Sequence, residues 1–276
     1  MKKPVAATTI VNLRRAYFES RYGQLHVRTA FPSTGGFDEH AALLLLHDCP
    51  HSSRDFVPFL PVIATDRSIY AADTPGYGAS DPPPSAPAIS DYAAAIGDFL
   101  NNLRLRRVDV LGHGTGAAIA TELAIQRPAA VRRLIFVGLP VHTSGERAGF
   151  DASPYPAPPS AEGTHAGLEW RRTAAEAAPG RTLEQLAAEV ADALYAGPTA
   201  CWGPRAAFHW KAHERLPLVA APALVLRPKD SLWEATLRAK PLLKNPVWED
   251  LPALGAGLFG VAAADVAARV RRFLDR

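Results

Sequence analysis

Short runs of consecutive apolar residues alternate with longer amphipathic segments along most of this chain. The apolar runs have the length of β-strands, and Ala42–Leu46 is apolar at every position, as in a strand covered on both faces of a sheet. Between such runs, apolar residues recur at helical spacing, as Phe56, Phe59 and Ile63 do. This alternation predicts right-handed β-α-β units, with a mostly parallel central sheet flanked by helices.

The apolar runs and their spacing predict eight strands, of which the first two form a hairpin: 16–20, 25–30, 42–46, 68–72, 108–111, 134–137, 223–226 and 247–248. They also predict eight helices: 52–64, 90–103, 117–125, 167–178, 183–195, 199–213, 233–243 and 264–274. Strand signals stop near residue 141 and resume after residue 216. We therefore predict an α/β core formed by 1–140 and 217–276, with 141–216 inserted as a helical cap.

Charge and composition narrow the classes of partner. The net charge is +3, and the arginines are scattered without a long basic run, so we expect no nucleic-acid partner. No apolar run is long enough to span a bilayer, so we expect no membrane partner.

The cysteines and the N-terminus bear on the compartment. Only Cys49 and Cys201 are present, which favours a reducing compartment, and we predict a cytoplasmic protein. Met1–Ala7 begins like a signal peptide, but polar residues from Thr8 onward interrupt the apolar segment.

A glycine-rich turn joins the strand predicted at 108–111 to the helix predicted at 117–125. The turn reads Gly112-His113-Gly114-Thr115-Gly116, which has the layout of the G-x-S-x-G nucleophile elbow. Gly114 stands where that motif carries serine. This position, called the nucleophile seat, therefore holds no nucleophilic side chain and is vacant. A residue with a Cβ at this tip is strained by roughly 1–3 kcal/mol, and glycine relieves that strain. Gly114 therefore indicates that covalent catalysis has been lost.

Three stretches make the chain similar to the α/β-hydrolase fold superfamily over nearly its whole length. His47–Pro50 stands where the family often has H-G-x-P, and Asp73–Ser80 looks like D-x-P-G-x-G-x-S. The elbow is the third stretch. With Glu146–Arg147 and Thr164–His165, the elbow also resembles an atypical branch of the superfamily that lacks the serine nucleophile. The resemblance implies an α/β-hydrolase fold with a helical cap.

The resemblance also indicates where the other triad members are expected. Gly255–Phe259 looks like the G-x-G-H-F stretch that carries the catalytic histidine, and Leu258 occupies the histidine seat, which is therefore vacant. Asp230 matches the acid seat, although a register shifted by one residue puts Ser231 there. The alternative for Asp230 is a turn aspartate that caps the helix beginning at Trp233.

By the same analogy, the backbone N–H groups of Cys49 and Thr115 form the oxyanion hole. Asp48 replaces the usual glycine there, and we expect its carboxylate to repel a developing oxyanion. The Thr115 hydroxyl is predicted to cap the following helix, and Cys49 to be a small buried hydrophobe.

Other histidines are candidates for the missing base. His142 and His165 follow the core strand into the predicted cap, where either can overhang a pocket and act as a base. His47 and His113 end predicted strands, and we expect structural roles for both, with His113 packed beneath the sheet. Trp170 of the cap is predicted to line an aromatic pocket.

The sequence shows no set of residues with metal-ligand spacing, and its glycines fit neither a dinucleotide nor a phosphate loop, so we expect no metal and no cofactor. Three functions remain open. The first is a non-covalent pocket enzyme, such as a lyase, isomerase, cyclase or atypical hydrolase, acting on a hydrophobic small molecule. The second is a catalytically silent protein that binds a ligand or a partner, and the third is an esterase with relocated residues. The sequence does not set the oligomeric state.

Overall fold

A central β-sheet organises the protein. The computed structural model describes residues 11–33, 40–153 and 155–276, and the segment Met1–Ala7, which begins like a signal peptide, lies outside them. Within the described residues the sheet has eight strands in the order β1-β2-β4-β3-β5-β6-β7-β8. The strands are β1 (Val11–Ser20), β2 (Gly23–Pro32), β3 (Ala42–Leu46), β4 (Ile69–Ala72), β5 (Val108–His113), β6 (Val131–Val137), β7 (Ala223–Pro228) and β8 (Val247–Leu251).

The sheet is mostly parallel, as the sequence pattern predicts. The β1–β2 hairpin and the β2–β4 pair are antiparallel, and every other neighbouring pair is parallel. The carboxyl ends of β3, β5 and β7 therefore lie at the same edge of the sheet. The loops that leave these three strands carry the residues on which the site depends.

Helices cover both faces of the sheet, and several lie between β6 and β7. They are α1 (Leu60–Ile63), α2 (Ile89–Asn102), α3 (Thr115–Gln126), α4 (Ser144–Asp151), α5 (Thr164–Ala175), α6 (Leu183–Tyr195), α7 (Trp202–His209), α8 (Ala212–Arg215), α9 (Trp233–Leu237), α10 (Leu258–Val261) and α11 (Ala263–Leu274). The segment between β6 and β7, which carries α4 to α8, is called the inserted helices below.

The helix predicted at 199–213 is divided into α7 and α8, because Trp210 has an extended backbone. Two other predicted helices are shorter than their apolar spacing indicates. The helix predicted at 52–64 is divided into a 3-10 turn at Ser53–Phe56 and the single turn of α1. Pro58 and Pro61 lie in this stretch, and proline has no N–H to continue a helical hydrogen-bond ladder. The helix predicted at 233–243 ends at Leu237 for the same reason, because Pro241 follows within a 3-10 turn.

Side chains alternate between the two faces of the sheet and form two apolar clusters. Leu44, Leu46 and Val110 contribute to the cluster beneath α2 and α3. Leu45 and Leu111 contribute to the other cluster, which contains residues of α10 and α11.

Asp73 ties together the loops beside the site. Its carboxylate accepts hydrogen bonds from the backbone N–H of Ser53 (2.8 Å) and of Ala79 (2.9 Å), and contacts His26 Nδ1 at 2.7 Å. Burial alone would raise the pKa of Asp73, but the hydrogen bond with His26 and these N–H donors lower it to about 2. Gly78 in the same loop has φ +54°, and a Cβ there would overlap the Asp73 carboxylate.

Glu122 joins the inserted helices to the core. Its buried carboxylate lies on α3 and accepts hydrogen bonds from Trp210 Nε1 (2.9 Å) and from the Arg215 guanidinium (2.7 Å). Trp210 and Arg215 belong to the end of the inserted helices. The Glu122 carboxylate of the core therefore accepts hydrogen bonds from two side chains of the inserted helices.

We expect Glu122→Ala to lower the free energy of unfolding by roughly 3 kcal/mol, because it leaves a buried indole N–H and a guanidinium without their acceptor. Glu122→Gln keeps an acceptor for Trp210 and is expected to cost less. Urea unfolding of the two variants measures both values. A loss below about 0.5 kcal/mol for Glu122→Ala, the range of ordinary surface substitutions, would contradict this role.

Candidate active site

The elbow has the strand–turn–helix layout predicted from the sequence. β5 ends at His113, Gly114 follows with φ +53° and ψ −117°, and α3 begins at Thr115. This conformation lies in the region that favours glycine. Gly116 permits the close approach of α3 to β3, because a Cβ on it would lie 2.6 Å from the carbonyl carbon of Leu46.

The carboxylate of Asp48 fills the space above Gly114. Asp48 lies two residues beyond the end of β3, the strand next to β5 in the sheet. A Cβ built on residue 114 would overlap the Asp48 carboxyl group, and even Oδ2 would be only 2.6 Å away. A side chain at the tip of the elbow is therefore incompatible with the observed position of Asp48.

Both backbone donors of the expected oxyanion hole bind Asp48. Its Oδ1 accepts hydrogen bonds from the N–H of Cys49 (2.9 Å) and of Thr115 (2.8 Å). Thr115 is the first residue of α3, where the helix dipole favours a negative charge. We predicted that Asp48 would repel an oxyanion near this site, whereas the structure places its carboxylate in the anion position itself.

The predicted cap at the start of α3 is wrong. The N-cap residue is Gly114, and no side chain of its own segment caps the helix. The Thr115 N–H is satisfied by Asp48, which lies 67 positions earlier in the chain. Because the acceptor at the start of α3 comes from a distant loop, the sequence around the helix gives no sign of it. The Thr115 hydroxyl, which lies nearest in the sequence, does not cap the helix.

Two cavities meet at Asp48, and both are lined by Asp48, Cys49, Arg172, Glu176 and Leu232. The first, called the polar cavity, has a volume of about 480 Å³ and is also lined by His51, Asp55, His113, Arg181, Asp192 and Asp230. The second, called the apolar cavity, has a volume of about 320 Å³ and is also lined by Thr115, Pro140, His142, Phe150, Tyr155 and Phe208. The core and the inserted helices both contribute to each cavity.

Asp230, predicted at the acid seat, lines the polar cavity. Its Oδ1 accepts a hydrogen bond from the Leu232 N–H (2.9 Å), and its carbonyl accepts one from the Trp233 N–H (3.1 Å). Burial raises the pKa of Asp230 to about 6. Asp230 therefore both binds the turn that precedes α9 and lines the polar cavity, so both alternatives for this residue agree with the structure. Ser231, the alternative from a shifted register, is exposed and lines both cavities.

Leu258, predicted at the histidine seat, is completely buried in the core cluster beside α11. His113 was predicted to pack beneath the sheet, and the structure corrects this, because its ring borders the polar cavity. His113 points to the same face of the sheet as Leu111, but it is the last residue of β5 and is only partly buried. Its ring packs edge-to-face against Phe259 at 5.6 Å.

Of the two candidate substitute bases, only His142 borders a cavity. Its ring lines the apolar cavity and stacks on Phe208 at a centroid distance of 3.8 Å. Burial lowers the pKa of His142 to about 4, so the ring is uncharged at neutral pH. His165 lines neither cavity, and its Nδ1 accepts a local hydrogen bond from the Ser160 N–H (3.3 Å). Trp170 on α5 is 36% exposed and also lines neither cavity, contrary to its predicted role.

His47 and Cys49 support the loop that carries Asp48. His47 is fully buried, with Nδ1 2.8 Å from the carbonyl oxygen of Asp48 and Nε2 accepting a hydrogen bond from the Thr74 N–H (2.8 Å). Both ring nitrogens are thus engaged. Cys49 is buried as well, and this burial raises the pKa of its thiol well above the ordinary value.

The wall of the polar cavity contains a histidine–carboxylate pair that was not predicted from the sequence. His51 Nδ1 lies 3.2 Å from Asp55 Oδ2. Burial alone would lower the pKa of His51 and raise that of Asp55, but the attraction between the two groups reverses both directions. Their spacing of four residues is a signal that could have identified the pair.

In residues 11–33, 40–153 and 155–276, no group of three or more His, Cys, Asp or Glu side chains is arranged to hold a metal ion. In the same ranges, no helix combines the length and the apolar character needed to cross a membrane.

Comparisons with known proteins agree with this architecture. A family model described as alpha/beta hydrolase fold matches residues 41–157. The esterase from Exiguobacterium antarcticum superposes with a TM-score of 0.78 at 15% identity, covering 94% of this chain and 99% of that one. The chain therefore has the α/β-hydrolase fold.

Curated relatives match over shorter stretches. The fluoroacetate dehalogenase of Burkholderia sp. is 30% identical over 98 residues, which is 34% of this chain and 32% of that protein. The 2-hydroxymuconate semialdehyde hydrolase of Pseudomonas sp. strain CF600 is 36% identical over 81 residues, which is 29% of this chain and 28% of that protein. The matches thus span about a third or less of these relatives.

A double-mutant cycle tests the dependence of Gly114 on Asp48. We expect Gly114→Ala to cost about 3 kcal/mol of unfolding free energy, because backbone strain adds to the overlap with the carboxylate. In an Asp48→Ala background only the strain remains, so the cost should fall by at least about 1 kcal/mol. Gly149→Ala on α4, where a Cβ would meet nothing within 4 Å, is a control that should not destabilise. An equal loss of unfolding free energy for Gly114→Ala in both backgrounds would contradict the overlap between a Cβ on residue 114 and the Asp48 carboxylate.

The raised pKa of Asp230 predicts a dependence of stability on pH. A carboxyl group whose pKa is higher in the folded state contributes stability at low pH and loses it as the pH rises through about 6. We therefore expect Asp230→Asn to be more stable than the wild type at pH 8, by up to about 3 kcal/mol, and the difference to vanish near pH 4.

Unfolding of both proteins from pH 4 to pH 8 measures this difference. Asp98→Asn is the control, because the hydrogen bond from Arg21 lowers the pKa of Asp98 below its ordinary value of 3.8, so the stability difference for this variant should change little between pH 4 and pH 8. A stability difference for Asp230→Asn that does not change with pH would exclude the raised pKa.

Proposed function

We propose that this protein is a non-covalent pocket enzyme in which Asp48 accepts a proton from a hydrophobic small molecule. The reaction is then an isomerisation, elimination, cyclisation or atypical hydrolysis. The observation that carries the proposal is the position of the Asp48 carboxylate, which is fixed by two backbone N–H groups where the polar and apolar cavities meet.

The geometry of Asp48 suits a base. Oδ1 is occupied by the N–H groups of Cys49 and Thr115, whereas Oδ2 has no hydrogen-bond partner among the described residues. Two hydrogen bonds to one oxygen fix the orientation of the carboxylate and leave the other oxygen for the substrate proton. Such fixed placement within reach of a proton is the first requirement for general base catalysis.

The walls of the cavities indicate the kind of substrate. Phe150, Tyr155 and Phe208 make one wall of the apolar cavity largely aromatic, which favours an uncharged, mainly apolar molecule. In this proposal the inserted helices at 141–216 act as the cap, since they supply these three side chains. The names of the relatives, a dehalogenase and a semialdehyde hydrolase, also support a small organic ligand.

Covalent acyl transfer is not part of the proposal. Gly114 offers no nucleophilic atom, Leu258 offers no base, and the Asp48 carboxylate occupies both donors that would bind the oxyanion of an acyl intermediate. We also propose a cytoplasmic location, which rests on the two free cysteines among the described residues.

A catalytically silent binding protein is the second candidate. The observation in its favour is the same carboxylate, because an internal anion in the donor site leaves those N–H groups no role toward a substrate. The two candidates differ in one measurable property, which is proton exchange at a bound ligand.

Hydrogen–deuterium exchange distinguishes them. A panel of small cyclic and open-chain ketones is incubated with the protein in deuterium oxide, and loss of the proton next to the carbonyl is followed by NMR. We expect catalysed exchange for at least one compound, and at least about 100-fold slower exchange with Asp48→Asn, because the amide keeps the shape of the side chain but cannot accept the proton. Asp98→Asn on the surface of α2 is the matched control and should exchange at the wild-type rate.

Two results would contradict the proposal. Ligand binding without exchange in the wild type would support the silent binding protein. A ligand fragment found covalently attached to the protein by mass spectrometry would show that the chemistry is covalent.

A further inference from the structure

Removal of a proton beside a carbonyl group leaves negative charge on the carbonyl oxygen, and that oxygen needs a hydrogen-bond donor. The N–H groups of Cys49 and Thr115 already bind Asp48, so they are not available. We propose that His113 supplies the missing donor through Nε2. This inference rests on the proposed function, and it assigns to His113 the task that the elbow N–H groups perform in a serine-dependent site.

His113 lies next to the proposed base. β3 and β5 are parallel neighbours, with Leu46 paired to Gly112, so Asp48 and His113 leave the sheet at the same edge. Both side chains line the polar cavity. A ligand in this cavity can therefore face the carboxylate with its C–H group and the imidazole with its oxygen.

The surroundings of the ring indicate which nitrogen donates. His113 Nδ1 is buried without a hydrogen-bond partner, while Nε2 is not buried. An N–H left buried without an acceptor is less tolerable than a buried acceptor without a donor. The proton therefore resides on Nε2, at the cavity, and the edge-to-face contact with Phe259 holds the ring in this orientation.

Charged groups from several elements surround His113. Asp230 follows β7 and Asp55 lies in the 3-10 turn after β3, and both carboxylates line the polar cavity together with His113. His51 and Arg181 are other candidate donors in this cavity, and they pair with Asp55 and Glu189 respectively. Arg172 on α5 is a further rival donor, because it lines both cavities. However, its guanidinium already binds both carboxylate oxygens of Glu169, and its side chain is 40% exposed.

Proton removal by Asp48 needs no co-reactant. Asp48 Oδ2 takes the proton, the electron pair of the broken C–H bond forms a C=C bond, and the carbonyl electrons move to oxygen. His113 Nε2–H donates a hydrogen bond to that oxygen and stays bonded to its own proton. Return of the proton from Asp48 to the same or a neighbouring carbon completes an exchange or an isomerisation.

Paired substitutions at His113 test this role. His113→Gln keeps an N–H donor near the position of Nε2, whereas His113→Leu removes it. We expect His113→Leu to lower kcat for exchange at least about 100-fold with little change in KM, because the charge on oxygen develops only in the transition state. His113→Gln should recover most of the rate. His165→Leu, at a histidine remote from both cavities, should leave the rate unchanged.

Two spectroscopic readouts do not depend on turnover. Nitrogen-15 NMR of the His113 ring should show the Nε2–H tautomer. With Asp48→Asn, which holds a ketone without reacting, the infrared carbonyl band of the bound ligand should lie at lower frequency than with the double variant Asp48→Asn, His113→Leu.

The outcomes separate this inference from the proposed function. If the wild type catalyses no exchange, the proposed function fails and the inference fails with it. If exchange depends on Asp48 but His113→Leu has the wild-type rate and carbonyl band, the inference alone is wrong. Loss of the band shift with Arg172→Leu instead would assign the donor to Arg172.

Discussion

One carboxylate oxygen that accepts two backbone N–H groups at the start of α3 determines how this site is built. Asp48 Oδ1 binds the N–H of Cys49 and the N–H of Thr115, and the carboxyl group lies directly above Gly114. The interaction satisfies the N-terminus of a buried helix and also fills the place of a nucleophile. With Asp48 in this position, a residue larger than glycine does not fit at the tip of the elbow.

This constraint changes the chemistry that the fold can support. On the α/β-hydrolase scaffold the elbow N–H groups ordinarily face the substrate, and here they face the protein's own carboxylate. The negative charge that they hold is therefore present before any ligand arrives. In the proposed function, a substrate meets the fixed carboxylate oxygen of Asp48 between an aromatic wall and a polar wall, and we propose that this arrangement favours proton transfer over acyl transfer. His113 and Asp230 lie on the polar side, at the ends of β5 and β7.

The sequence predicted the sheet well because its strands are continuous apolar runs, such as Ala42–Leu46, and its turns carry glycines at spaced positions. Helix lengths were less predictable where prolines interrupt an otherwise periodic pattern, as Pro58 and Pro241 do. The strand–turn–helix layout of the elbow was also predictable, because it depends on residue identity within one short stretch.

The arrangement of the site was not readable in the same way. The hydrogen bond from Thr115 to Asp48 joins loops 67 residues apart, and nothing in either loop alone specifies it. The orientation of the His113 ring depends on its contact with Phe259, a residue far away in the sequence. Such a contact is set by the packing of the folded protein and cannot be inferred from the sequence near His113. His165 and Trp170 were predicted at the site because they lie in the inserted helices. The packing of these helices turns both side chains away from the two cavities.

The most direct test of the account is an NMR measurement on the amide groups of Cys49 and Thr115. In Asp48→Ala the two N–H groups lose their internal acceptor, so added formate should shift both resonances in a saturable manner. In the wild type the carboxylate of Asp48 already occupies the position, and formate should leave both resonances unchanged. Equal responses to formate in the two proteins would contradict the central claim.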